Sequence, residues 1–296
     1  MRRRGNRIAA VATVLVFCAV SAAHVSAADP AASTATETGS PRAALLRAVD
    51  DALAGQRYVE AEALLDRLAK QAGDNSGETG LMRAEWLIAV GRPAEAAPLL
   101  ASINPDERWQ CRKLSAEITA RVRILRLDGA DQLATSGEKA CGEDPVFWRS
   151  AGRLHLARDR APAAVAAFRK SLSLDPANGS VRGDLGVALI AAGDAPEAAR
   201  VLSALLLLDP DQTEARINLD YANGMLGRQP SRRPSDSDLV WSRRLQYAGL
   251  GAQRASHSPL AEALLGQALI ARPRHDEQLW RQYGAVTGRD DEGRVH

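Results

Sequence analysis

The chain of 296 residues has few aromatic residues, few cysteines and no sustained alternation of apolar and polar residues. Aromatic residues make up 4% of the sequence, although 46% of all residues are hydrophobic and alanine is abundant. A sandwich of β-sheets would need alternating strands, and none is recognisable. Small alanine side chains instead suit helices that pack closely, so the composition predicts an all-α fold.

The motifs of the common enzyme and cofactor sites are also missing. Gly249-Leu250-Gly251 starts like a dinucleotide-binding loop, but a third glycine and a preceding strand are absent. No nucleophile elbow, phosphate-binding loop or carboxylate pair is recognisable. The histidines beyond residue 27 have no second metal-type ligand at helical spacing; they are His155, His257, His275 and His296. We therefore predict no catalysis, cofactor or metal. The alternative is an active site assembled in residues 105–141 or in the C-terminal unit.

What the sequence does contain is a repeat with a period of about 34 residues. The period relates three pairs of residues: Gly152 and Gly186, Ala164 and Ala198, and Pro176 and Pro210. Small residues and a closing proline at this spacing resemble the tetratricopeptide repeat (TPR) family. The resemblance implies an all-α, TPR-type solenoid of helical hairpins, an α–α superhelix.

The residue types within one repeat explain why two helices should pack together. The unit 145–178 has small residues at its eighth and twentieth positions, Gly152 and Ala164. Large residues at positions four and twenty-four, Trp148 and Phe168, fill the space between the helices. Proline disfavours helical geometry in the residue before it, so Asp175-Pro176 is expected to end the second helix.

The repeat pattern weakens towards both ends of the chain and loses its register once, because the interval from Pro210 to Pro273 is shorter than two full periods. The predicted order is a signal peptide (1–27), a disordered lead-in (28–40), a TPR array (41–227), a linker (228–237), a C-terminal TPR-like unit with its cap (238–288) and a tail (289–296). Within the array, degenerate units run to about residue 144, consensus units occupy 145–178 and 179–212, and an extra helix covers 213–227.

The segment 1–27 has the features of a secretory signal peptide. Four arginines precede a short apolar run, Ile8–Val20, and small residues surround Ala27. We therefore predict a periplasmic protein without a membrane span after processing; an uncleaved anchor, or a lipid on Cys18, is the alternative. Without the four arginines, 34 basic side chains face 36 acidic ones, a net charge of −2. This balance predicts no general attraction to nucleic acid.

The two cysteines beyond the signal segment are expected to form a disulfide. An even pair in an exported protein favours pairing. Cys111 lies near the start of one helix of a degenerate hairpin, and Cys141 follows the end of the other. Antiparallel helices bring these ends together. The bridge would stabilise the fold by about 3 kcal/mol on the chain-entropy model. Two buried free thiols are the alternative.

The TPR resemblance also implies a binding groove. In a TPR superhelix the first helix of each repeat lines the concave surface. The candidate groove residues are Arg149, Arg153, Leu156, Val187, Ile190, Asn218 and Tyr221. This apolar surface with two arginines at one end would suit a peptide or amphipathic helix with an acidic part. The alternative is that both arginines are ordinary solvated residues.

These features together predict a non-catalytic adaptor that binds a protein or peptide partner in the cell envelope; the sequence predicts no oligomeric state. The plan is similar to that of the TPR protein of tight-adherence (Flp) pilus assembly: a signal peptide, irregular early repeats, consensus repeats and a helix reading Arg216-Ile217-Asn218-Leu219. That resemblance implies a role in pilus biogenesis and secretion. An accessory role in exopolysaccharide or cell-wall export, or a cytochrome-maturation chaperone, is the alternative.

Overall fold

A computed structural model describes residues 40–72 and 77–288, and these residues form α-helices and one short 3-10 turn, with no strand among them. The all-α prediction is therefore confirmed. The helices are α1 (Pro41–Ala54), α2 (Tyr58–Ala72), α3 (Gly77–Ala89), α4 (Pro93–Ser102), α5 (Gln110–Arg123), α6 (Ala130–Ala140), α7 (Pro145–Ala157), α8 (Ala161–Leu174), α9 (Gly179–Ala192), α10 (Ala195–Leu208), α11 (Thr213–Met225), α12 (Asp238–Arg254), α13 (Ser258–Ala271) and α14 (Glu277–Thr287). The predicted signal peptide, nearly all of the lead-in and the tail lie outside the described residues.

Side-chain caps and prolines fix where several helices begin. The Asp144 carboxylate accepts hydrogen bonds from the amides of Val146 and Phe147 at the start of α7. Asp194 caps α10 in the same way through the amide of Glu197. Pro145 stands in the first turn of α7, where its missing N–H leaves no hydrogen bond unmade. The sequence Asp144-Pro145 therefore marks the N-terminus of α7.

Glycine at the eighth repeat position makes room for the large residue at position twenty-four. A Cβ on Gly152 would lie 2.6 Å from the ring of Phe168, and one on Gly186 would lie 2.6 Å from Leu202. In the C-terminal repeat, a Cβ on Gly249 would lie 2.8 Å from Leu265. Real Cβ contacts are not this short, so each hairpin depends on the absence of a side chain there.

The hairpin expected at about 107–140 is present. A 3-10 turn, Glu107–Trp109, leads into α5, and α6 follows after Gly129, whose φ is +73°. Glycine adopts this left-handed conformation without the strain that a Cβ would cause. Cys111 and Cys141 are joined by a disulfide with a Cα–Cα distance of 5.6 Å. The bridge ties the start of α5 to the end of α6.

The described part of the chain divides into two compact units, with the boundary between Val181 and Arg182. The sequence suggested a break at 228–237 instead. That segment does not separate its neighbours, because α11 and α12 pack against each other on either side of it. A Cβ on Gly224 would overlap the carbonyl of Ala248, and a Cβ on Gly251 would overlap that of Tyr221. The two backbones therefore lie almost in contact.

Candidate partner-binding surfaces

In the first unit, three of the predicted groove residues lie on α7. Arg153 is half-buried, whereas Arg149 is 7% exposed and Leu156 is 3% exposed. Leu156 is therefore a packing residue in this structure, and Arg153 offers the most surface of the three. The alternative that both arginines are ordinary solvated residues does not hold for Arg149, because this residue is almost completely buried.

A third arginine lies beside this group and comes from α5. Arg123 donates a hydrogen bond to the carbonyl of Ile88. Burial lowers the pKa of Arg123, and the nearby positive charge of Arg153 lowers it further. The hydroxyls of Thr119 and Ser150 are 3.2 Å apart, so α5 and α7 pack side by side. Arg123, Arg149 and Arg153 are called the arginine face below.

Sequence reasoning missed Arg123 for an identifiable reason. It lies in the degenerate hairpin, where no repeat register assigns a residue to the groove. The signal that could have found it is the four-residue spacing from Thr119, because residues four apart share one face of a helix. Thr119 and Arg123 therefore lie on the same side of α5.

In the second unit, the four predicted groove residues are nearly inaccessible. Val187 is 3% exposed, Ile190 1%, Asn218 7% and Tyr221 4%. Burial raises the pKa of the Tyr221 hydroxyl, and the positive charge of Arg254 opposes this effect. Arg254 also donates to the carbonyl of Ala191, at 2.9 Å. These four side chains therefore shape the interior of the unit, and their exposed neighbour is Arg254.

The second unit contains a buried ion cluster that sequence reasoning did not find. The Arg244 guanidinium donates from Nε to Asp220 at 2.6 Å and from Nη1 to Asp236 at 2.5 Å. It also donates to the carbonyl of Ser231, at 3.1 Å. The side chains of Arg244, Asp220 and Asp236 are only 4–5% exposed. The predicted linker, which contains Ser231 and Asp236, is therefore held against α12.

The electrostatics of this cluster follow from its burial. Burial would lower the pKa of Arg244, but hydrogen bonds to Asp220 and Asp236 raise it. Burial raises the pKa of Asp220, and this effect exceeds the opposing effect of Arg244. One guanidinium thus lies between two carboxylates, and each carboxylate accepts hydrogen bonds from a different part of the guanidinium. The cluster suits a structural role in joining α11, the 228–237 segment and α12.

His155, one of the histidines that the sequence gives no metal-type partner, lies at a packing position between helices. Its Nδ1 is buried and makes no hydrogen bond within the described part of the chain. Burial lowers the pKa of His155, with a smaller contribution from Arg160. The same position of the next repeat holds Leu189, which is buried. His155 therefore fills an apolar position with a titratable ring.

The described residues form neither a metal-type cluster nor a membrane-spanning helix. Among residues 40–72 and 77–288, no group of three or more His, Cys, Asp or Glu side chains is placed to hold a metal ion. Over the same residues, no helix is long and apolar enough to cross a membrane.

Comparisons with known proteins agree with the repeat pattern. The tetratricopeptide repeat family model matches residues 155–218. No curated protein matches the chain. Among solved structures, a tetratricopeptide repeat protein from Parabacteroides merdae ATCC 43184 is similar at 12% identity and a TM-score of 0.47, covering 83% of this chain and 98% of that one.

Two complexes also contain similar chains. A chain of the APC/C hetero-tetramer Cut9–Hcn1 is 16% identical, with a TM-score of 0.49 over 84% of this chain and 50% of that one. A chain of Naa15/Naa10 bound to HypK-THB is 15% identical, with a TM-score of 0.37 over 84% of this chain and 39% of that one. This chain thus spans half or less of those two. All three TM-scores lie below 0.5, so none of these likenesses carries a conclusion about function.

Proposed function

We propose that this chain, whose residues 155–218 are tetratricopeptide repeats as the sequence period predicts, is a non-catalytic adaptor that binds a protein or peptide partner. The family match is the observation that carries the proposal, because stacked helical hairpins present extended surfaces for partner binding. No motif for catalysis competes with this interpretation in the sequence. The adaptor acts by holding its partner rather than by changing it chemically.

The arginine face supports a partner with an acidic segment. Arg123, Arg149 and Arg153 come from two adjacent helices of the first unit, and the charge of Arg153 is felt at Arg123. A carboxylate brought to this face would relieve repulsion between like charges. Arginine also binds carboxylates through two parallel hydrogen bonds. Arg123 and Arg153 are both half-buried, whereas Arg149 is 7% exposed, so Arg123 and Arg153 are the members of the face that can meet a partner.

An envelope location is part of the same proposal. The segment 1–27 has the pattern of a secretory signal peptide, and it lies outside the described residues. The Cys111–Cys141 disulfide supports an oxidising compartment such as the periplasm. The finer version places the adaptor in tight-adherence pilus biogenesis, which rests on the resemblance of the overall plan.

The experiment is affinity capture from cross-linked envelope extracts with the full chain and two variants. Arg153→Glu should weaken capture of the partner about tenfold, because it places a like charge against the partner's acid. Arg169→Glu is the matched control, since Arg169 is an exposed arginine on α8 of the same unit. Both variants should melt at the temperature of the wild type.

Three outcomes would contradict parts of the proposal. Equal capture by both variants would exclude the arginine face. If the extracts yielded no captured partner, or only a cytoplasmic one, the envelope adaptor would be excluded. Captured polymer-export subunits or apocytochromes, instead of pilus components, would exclude the pilus version while leaving the adaptor function in place.

A further inference from the structure

A small cavity lies in the second unit where α13 ends and α14 begins. Its volume is about 180 Å³, well above the roughly 10–15 Å³ that a single water molecule needs. Leu269, Pro273 and Trp280 give it an apolar wall. The Trp280 ring is held in place, because it stacks on His275 and meets Tyr283 edge to face. The cavity is therefore large enough to hold a short side chain, and the Trp280 ring gives that side chain a flat apolar surface to pack on.

The rest of the cavity is polar, and two of its four polar side chains are arginines. Arg272, Arg274, His275 and Asp276 line it. The Arg272 side chain is 9% exposed, yet its Nε is buried and makes no hydrogen bond within the described chain. Its Nη2 donates to Gln246 Oε1 at 2.6 Å and lies 3.4 Å from Asp276. A buried donor without an acceptor is unfavourable, and a ligand oxygen in the cavity would satisfy it once the guanidinium turns its Nε towards the cavity.

The charges around Arg272 are not balanced by the chain itself. Burial lowers the pKa of Arg272, and Arg243 lowers it further, while Asp276 opposes them. Asp276 is already engaged, because its Oδ1 accepts the amide of Leu279 at 3.0 Å and caps α14. Arg274 and His275 are exposed at the same cavity. The cavity therefore has more cationic groups than its single carboxylate can neutralise.

We propose that this cavity binds a side-chain carboxylate from an acidic segment of a partner protein. The carboxylate oxygens accept hydrogen bonds from Arg272 and Arg274, and the methylene groups of a glutamate rest on Trp280. The inference rests on the proposed adaptor function, since it takes the acid to be a partner's. It adds a second contact, separate from the arginine face of the first unit.

The test is a titration of the full chain, labelled with ¹⁵N, with an acetylated and amidated pentaglutamate peptide at constant ionic strength. The Nε–H signal of Arg272 and the indole N–H signal of Trp280 should both shift. Arg274→Ala should weaken binding about two- to fivefold, as expected for a partly exposed ion pair. Arg228→Ala is the matched control, because Arg228 is exposed in the same unit and outside the cavity.

A second variant addresses the buried arginine. Arg272→Met keeps much of the side-chain length and removes the charge. It should weaken peptide binding more than tenfold, because the charge-assisted hydrogen bond from Arg272 to the carboxylate is lost. Thermal melting checks its folding. Should Arg272→Met fail to fold, the comparison of Arg274→Ala and His275→Ala with Arg228→Ala decides, since all three side chains are exposed.

The outcomes separate this inference from the adaptor proposal. Equal shifts from pentaglutamine, or shifts from inorganic phosphate with none from pentaglutamate, would overturn the cavity's assignment to an acidic peptide. Capture of an envelope partner together with unmoved Arg272 and Trp280 signals would overturn the cavity alone. Cavity shifts without any captured partner would support the cavity and contradict the adaptor function.

Discussion

Two neighbouring stretches of the second unit are held together by different chemistry. The consensus hairpin of α9 and α10 closes on an apolar fit, in which Leu202 occupies the space left by Gly186. The pair α11 and α12 closes on backbone contact at Gly224 and Gly251, with the Arg244 cluster beside it. Where the repeat register is kept, the helices pack through complementary apolar shape. Where the register is lost, buried charged side chains also connect the helices.

Removing one carboxylate of the cluster should have the largest effect. Asp220→Ala leaves the Arg244 guanidinium buried with one carboxylate partner fewer, and should lower the free energy of unfolding by about 3–5 kcal/mol. Arg200→Ala breaks the exposed pair with Glu197 on α10 and should change stability little. Urea denaturation of both variants measures the contrast. Equal midpoints would show that the charges do not hold α12 in place.

The degenerate hairpin of the first unit is held together in a third way, by the disulfide, where the repeat pattern is weak. Replacing Cys111 and Cys141 together by alanine should lower the free energy of unfolding by about 3 kcal/mol, because the unfolded chain gains freedom over the loop of 30 residues. Reducing the wild-type protein should give the same loss. An unchanged stability after either treatment would contradict a stabilising role for the bridge.

The backbone contact between α11 and α12 can be compared with an ordinary helical glycine. Gly251→Ala places a methyl group against the carbonyl of Tyr221, and should destabilise the protein by about 1–3 kcal/mol. Gly183→Ala in α9 meets Leu205 at 3.8 Å, an ordinary contact, and should be neutral or stabilising by up to about 1 kcal/mol. Thermal melts of the two variants measure the difference, and similar melting temperatures would be inconsistent with close backbone packing.

The smallest effect concerns the consensus repeats and depends on pH. Because the pKa of His155 is lowered in the fold, protonation favours the unfolded state. Its favourable contribution is present above the unfolded pKa of about 6.5 and is lost as pH falls through the folded value. His155→Leu, which copies Leu189 of the next repeat, should therefore lose less stability than the wild type between neutral and mildly acid pH. Parallel denaturation curves at both pH values would exclude this role.

The sequence predicted those parts of the molecule that repeat. Gly152 and Phe168 stand at fixed positions of the period, so their contact followed from spacing alone. Arg244 and Asp220 do not repeat, and nothing in their spacing along the chain shows that they meet. The proline-containing segment 228–237 resembled a break because its composition is polar. Its Asp236 is nevertheless buried, and a hydrogen bond from Arg244 compensates for the loss of water around the carboxylate.

The candidate site was harder to predict than the fold. Repeat positions identify which residues face the inner side of a hairpin array, but they do not say how fully neighbouring side chains cover that side. Val187 and Ile190 illustrate this, since they are at most 3% exposed. Arg123 illustrates the opposite problem, because it lies where no register exists. How deeply a side chain is buried, and which residues from outside the repeats lie beside it, depend on the folded chain. The repeat period carries no information about either.

Helix α12 belongs to two hairpins at once. It packs on α11 through Gly251 and on α13 through Gly249, and its Ser242 donates to the carbonyl of Ala268 at 2.7 Å. If α12 were deleted together with one of these neighbours, the other neighbour would lose the surface on which it packs. Residues 213–271 are therefore one packing block, in which a change in α12 disturbs both of its neighbours at once.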